Sequence, residues 1–161
     1  MSVLNAALLK RNEKATSQAR ESLGQLQKTW EALEDEFRKL GILKSTGVKL
    51  RSIFDDGDYH GVHDPIGEKT IGVAKVKGQW RVCLGSYYYQ HDNDIDWTPI
   101  VDCSTADRIA GLEKVKDLMA EVVVSNEKAA KELDAAVLDA AKLLKEIGIT
   151  LAPDEDNEDP F

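Results

Sequence analysis

Two heptad repeats of similar length, separated by an insert rich in strand signals, constrain this chain more than any other feature. In the first, Ala19, Leu23, Leu26, Trp30, Leu33, Phe37 and Leu40 alternate in steps of four and three, and Leu9, Asn12 and Thr16 carry the register backwards. In the second, Leu112, Val115, Met119, Val122, Asn126, Ala129, Leu133, Ala136, Ala140, Leu143 and Ile147 follow the same rule. A 3.5-residue repeat keeps one stripe of a helix turned toward a partner helix. Helix 1 is expected over residues 1–41, ending at Gly41 with Arg38 and Lys39 in its last turn. Helix 2 is expected over residues 104–148. Ser104-Thr105-Ala106-Asp107 reads as its capping box, and Gly148 ends it after Lys145.

The topology expected from these repeats is α+β. Two long antiparallel helices form a coiled-coil-like stalk that flanks a small antiparallel β-sheet head at residues 47–103. A compact head would bring the end of one helix and the start of the next to one place, which is why the helices are expected to be antiparallel. Helix 2 also carries Val123, Ala130, Val137 and Leu144 beside its seam. That stripe is wider than one partner helix covers. The expected outcome is a homo-oligomer, a dimer through the helices with these four residues at its interface. Asn126, the one amide in the second seam, reads either as a register device or as a solvated side chain.

Composition narrows the class. A chain of 161 residues with 42 % hydrophobic and 31 % charged content is long enough to bury one core, and a single domain over residues 1–161 is expected. Its apolar runs are too short to span a membrane. Lys10 and Arg11 follow the apolar start rather than precede it, unlike an export signal, so a cytoplasmic protein is expected. Cys83 and Cys103 then read as reduced thiols on strands. The net charge is −8, and five of the acids, Asp154, Glu155, Asp156, Glu158 and Asp159, crowd the tail at 149–161, which reads as flexible. No basic stripe exists to neutralise phosphates, which argues against direct nucleic-acid binding.

In the head, Val48–Phe54, Thr70–Val76, Gln79–Tyr89 and Thr98–Val101 read as strands, and Lys77-Gly78 as the turn of a hairpin. Trp80, Val82 and Leu84 should share a buried face, with a bulge expected at Gly85-Ser86. All four tyrosines and all three histidines fall between residues 59 and 91. Tyr59, His60, His63, Tyr87, Tyr89, His91 and Trp97 are therefore the candidate partner- or ligand-binding residues, because such side chains join an apolar body to a polar edge. The competing account is that strands favour aromatics.

Two metal patterns need weighing. Asp92, Asp94 and Asp96 alternate as in a calcium loop, but Trp97 stands where such a loop needs glycine and Cys103 where it needs glutamate. His60 and His63 near Asp64 have a spacing common by chance for zinc. No phosphate loop, nucleophile elbow or zinc-protease helix is present. The expectation is a non-enzymatic interaction protein without a cofactor: an inhibitor, adaptor or chaperone-like holder with a protein partner. The alternatives are a small-ligand or nucleotide module using the Tyr/His cluster, or a metal-dependent enzyme. The layout resembles that of prefoldin subunits, although no prefoldin motif is present.

Overall fold

The computed structural model describes residues 3–55, 64–91 and 94–149. Tyr59, His60, His63, Asp92 and the acidic tail lie outside them. The elements are α1 (Val3–Leu40), β1 (Thr46–Ile53), β2 (Gly67–Val76), β3 (Gln79–Tyr88), β4 (Asp96–Pro99), a 3₁₀ turn (Ile100–Asp102), α2 (Thr105–Leu112) and α3 (Val115–Glu146). The class is α+β, with one antiparallel four-stranded sheet in the order β1-β2-β3-β4. The chain divides into two units, Met1–Asn126 and Glu127–Phe161.

Local chemistry explains the element ends. Gly41 closes α1 at φ +79°, and its N–H donates to the Arg38 carbonyl at 3.1 Å. Lys77 and Gly78 both have positive φ, which gives the β2–β3 hairpin a turn whose twist matches its strands. At the other end of the chain, Ile149 N–H donates to the Leu144 carbonyl and Gly148 N–H to the Lys145 carbonyl. That pair of bonds is a Schellman cap on α3. Ser104 caps α2 by accepting from the Asp107 N–H at 3.2 Å.

Several strand expectations need correction. The fourth strand is Asp96–Pro99, and Ile100 to Asp102 already turn as a 3₁₀ helix. Cys103 therefore lies between that turn and α2, not on a strand. The sheet irregularity is in β1 between Lys49 and Arg51, whereas β3 pairs with β2 without a slip from Gln79 to Tyr88. Gly85 is kept for another reason. A Cβ there would meet Ile95 and the Trp97 ring, since Trp97 lies across Gly85 and Gly72. Trp97 and Ile95 thus cover the sheet face that carries no helix, and Cys83 and Ala74 are buried as well as Val82 and Leu84.

On the opposite face Ile71, Val73, Val82 and Leu84 pack with Trp30, Phe37, Ile100, Val115, Leu118 and Val122. Each such fully buried side chain contributes about 1.5–3 kcal/mol relative to exposure. Trp80, expected to join them, is only half-buried, and the Lys75 ammonium sits 5.6 Å from its ring.

The direction of the second helical segment is the main correction. The Arg108 guanidinium donates to the Gln27 carboxamide, Gly111 lies against Trp30, and Asn126 reaches the Gly41 carbonyl. Positions rising from 27 in α1 to 41 just past its end thus meet positions rising from 108 to 126. Over this stretch the two helical segments run in the same direction, not antiparallel, and the likeness to prefoldin subunits goes with that expectation. The physical cause is the route out of the sheet. The 3₁₀ turn and Cys103 take the chain back along the sheet, so α2 begins beside Arg51 and Lys69 rather than at the end of α1. The repeat is also interrupted: Glu113 and Lys114 form a tightened turn between α2 and α3, with Lys114 N–H donating to the Gly111 carbonyl. Asn126, read from sequence as a seam residue, brackets the end of α1. Its Nδ2 donates to the Gly41 carbonyl at 2.8 Å, and its Oδ1 accepts from Leu43 N–H at 3.0 Å.

One buried carboxylate completes this unit. Glu34 (5 % exposed) accepts from Arg81 Nε at 3.0 Å and from Val82 N–H at 3.1 Å. β4 pairs with β3 only from Cys83 onward, so Glu34 takes the hydrogen bond that a longer β4 would supply. The hydrogen bond to Glu34 also raises the Arg81 pKa. Glu34→Ala should leave Val82 N–H and Arg81 without this acceptor and destabilise the protein by about 2–3 kcal/mol. Urea denaturation would measure it, and a change within about 0.5 kcal/mol would show that Glu34 is not needed to finish the sheet.

Candidate functional site

The concavity with the most chemistry opens on the helix-side face of the sheet, beyond the core. Alternation along β2 and β3 continues the rows of Ile71/Leu84 into Lys69/Ser86 and then toward Tyr88. Past the end of the helix packing Lys69, Leu84, Ser86 and Tyr88 line a cavity of about 430 Å³, together with His91, Asp94, Asp96, Thr98, Cys103 and Asp107. That volume is within the range of small-ligand sites, about 300–1,000 Å³.

Its organising group is Asp107. Lys69 Nζ donates to one carboxylate oxygen at 2.8 Å, and Arg51 Nη2 contacts the other at 2.8 Å. Burial pushes the Asp107 pKa up, but the hydrogen bonds and charges of Lys69 and Arg51 outweigh it and hold the carboxyl below its ordinary value. The same residue has a second task, since its backbone N–H completes the Ser104 cap. The sequence suggested a capping box; the side chain instead crosses to β1 and β2.

The thiols are kept unreactive. Burial, reinforced by Glu34, pushes Cys83 up to about 12. Burial also raises Cys103, whose Sγ–H donates toward the Pro99 carbonyl at 3.4 Å. Thiolates are the nucleophilic form, so neither cysteine is activated at neutral pH. Among the described residues, no group of three or more His, Cys, Asp or Glu side chains is arranged to hold a metal ion.

The structure splits the aromatic cluster that sequence grouped together. Tyr87 and Tyr89 meet edge to face at 5.9 Å between ring centroids, and the Tyr89 hydroxyl donates to Glu68, which also pairs with Lys49. Strand alternation puts Tyr87 on the face that Trp97 covers. Tyr88 points to the other side and meets His91 edge to face at 6.3 Å. His91 therefore belongs with the cavity, while Tyr87, Tyr89 and Trp97 belong to the opposite face. Lys69 and Ser86 were not foreseen, because each is unremarkable in its own stretch of sequence, and Asp107 was read only as part of a capping box.

The second candidate surface is helical. Among the expected interface residues Val123 (41 %) and Val137 (58 %) are exposed, as is Ala130, while Leu144 is half-buried. From residue 127 to 149 only Ala129 and Leu144 are even partly covered. No helix of the described residues is long and apolar enough to cross a membrane. Compared with known protein families, characterised proteins and solved structures, the chain matches none.

Asp107→Asn should lower stability by about 1–3 kcal/mol at neutral pH. Because folding lowers the carboxyl's pKa, its contribution is complete above the ordinary aspartate value of about 4 and is lost as pH falls through the depressed one. The gap between wild type and Asp107→Asn should accordingly shrink in acid. Urea titrations at neutral pH and at about pH 3 would test this, and a gap independent of pH would show that the ion pairs do not stabilise the fold.

Proposed function

We propose that this is a non-enzymatic interaction protein, an adaptor whose α+β head carries amphipathic helix surfaces that dock partner helices. The observation that carries this reading is the apolar stripe at residues 127–149. Leu133 is 64 % exposed, Val137 58 % and Leu143 56 %. A helix of a globular domain turns such a stripe into the core, and a contiguous exposed one marks an interaction surface. The core of the first unit is built from other residues, so this stripe has no part in it.

Among interaction proteins, the adaptor is favoured over a promiscuous holder. Surfaces that accept many partners rely on flexible methionines, and this chain has two. The stripe is instead rich in alanine at 129, 130, 136, 140 and 141. Short side chains let a partner backbone approach closely, which rewards one geometry. The Tyr87/Tyr89/Trp97 face of the sheet offers a further contact surface on the same head.

A second reading has its own observation, the 430 Å³ cavity around Lys69. Its cation is already paired with Asp107, while Asp94 and Asp96 are exposed, so a small cationic ligand suits it better than a nucleotide. Ser86→Phe should fill the cavity and abolish any rise in melting temperature given by a short aliphatic diamine. A diamine that leaves wild type unchanged would remove this reading.

For the adaptor reading, Leu133→Ser, Val137→Ser and Leu143→Ser combined should keep the melting temperature of the head within a few degrees. The same variant should lose the proteins that co-purify stoichiometrically with wild type from its own cells. A fall of ten degrees or more, which corresponds to roughly 3 kcal/mol or more, would mean that the stripe stabilises the fold instead.

A further inference from the structure

The two long helices both leave apolar surface exposed. On α1, Leu8, Leu9 and Leu23 are 50, 52 and 40 % exposed, and every described residue from 5 to 25 is exposed. On residues 127–149 the stripe is stronger. Resting on the docking reading above, we infer that the stripe at 127–149 of one copy takes as its partner the exposed first part of α1 of a second copy, the two helices running in the same direction.

Charge placement selects this occupant. In the second repeat, Glu132, Asp139 and Glu146 border the stripe on one side and Glu127 and Asp134 on the other, while the lysines lie on the far side of the helix. A partner that brings net negative charge to that rim is therefore disfavoured. In α1, residues 3–24 hold four basic residues, Lys10, Arg11, Lys14 and Arg20, against two acids, Glu13 and Glu21, a net charge of +2. Residues 127–149 hold four lysines (128, 131, 142, 145) against the five acids just named, a net charge of −1.

Flank geometry then chooses among the four pairings. In a codirectional pair, the position just before each a residue of one helix faces the position just after each d residue of the other. For this pairing, apolar Ala130, Val137 and Leu144 meet Leu8, Ala15 and Ser22. The acids 132 and 139 meet Glu13 and Arg20, which together carry no net charge. Two copies of 127–149 side by side would press those acids onto apolar flanks if codirectional, and onto each other if antiparallel. An antiparallel pair with α1 would set Glu13 and Arg20 against the apolar column.

Two observations add to this. Thr16, in the α1 seam, already donates its hydroxyl to the carbonyls of Asn12 and Glu13 at 3.0 Å, so burying it strands no donor. Within the first unit, α1 and α2–α3 already pack codirectionally. Because the two surfaces differ, the contact is heterologous and leaves one free surface at each end, so it adds copies one after another.

The test uses full-length chains in sedimentation velocity over a range of concentrations. One variant carries Leu133→Glu and Val137→Glu, the other Leu9→Glu and Leu23→Glu. All four positions are exposed, and circular dichroism checks that helicity is kept; serine at the same positions replaces glutamate if it is not. Wild type should grow in mass with concentration beyond two chains. Each variant alone should be monomeric, and their equimolar mixture should form a species of two chains and nothing larger. If the α1 variant alone still associates as wild type does, the stripe pairs with itself; the inference falls and the docking reading stands. A mixture that stays monomeric, or a wild type monomeric throughout, also overturns the inference. The docking reading is then judged separately by the serine variant's melting temperature and co-purifying proteins.

Discussion

The seating of Trp30 holds the first unit together. Its indole is fully buried, and its ring edge lies where a Cβ on Gly111 would come within 3.2 Å, beside Ile71. One side chain thus ties α1 to α2 and to the sheet. Its N–H is buried without a hydrogen-bond partner among the described residues, at a cost of about 1–3 kcal/mol. Truncating a buried tryptophan costs about 3–5 kcal/mol, so packing outweighs the lost hydrogen bond. From this contact the rest follows: Gly111 must be small, the helix tightens at Glu113 and Lys114, and α3 is aimed so that Asn126 meets the end of α1.

A sheet of four strands with a four-residue edge strand is finished by two side chains, one from α1 and one from the edge strand itself. Glu34 replaces the missing end of β4 by accepting the Val82 N–H, and the guanidinium of Arg81 balances its charge. Trp97 covers the second face, where Gly72 and Gly85 leave room for a flat ring. Both contacts join residues distant in sequence. The sheet is accordingly specified by its neighbours as much as by its own strand propensity.

What could be read from sequence was what local chemistry decides. Gly41, Gly148, Ser104 and the Lys77-Gly78 turn all act within a few residues, and they end or cap the elements they were expected to. Chain direction could not be read, because a heptad reports which stripe of a helix is apolar and not which way its partner runs. The antiparallel expectation came from treating the insert as a compact cap at a helix tip; instead the sheet lies along the helices. The cavity was hidden for a similar reason. Lys69 and Asp107 are 38 residues apart, and a local motif, the capping box, already accounted for Asp107. The aromatic cluster misled in the opposite way. Tyr87 and Tyr88 are adjacent, and adjacency in a strand means opposite faces.

Folding of the first unit draws on only part of each long helix. The core uses Trp30 to Phe37 of α1 and Val115 to Val122 of α3; Leu26, Leu112, Asn126 and Ala129 are partly covered, and the heptad positions further out stay exposed. A repeat that runs unbroken in sequence is thus only partly used by the fold. Its inner portion is satisfied within the chain, and the docking proposed above would use its outer portions. Their apolar area would stabilise a complex at about 25 cal/mol per Å² buried, less the entropy of association. Polar substitutions in the outer portions should for that reason change what the protein binds long before they change whether it folds, whereas a change at Trp30, Gly111 or Glu34 acts in the reverse order.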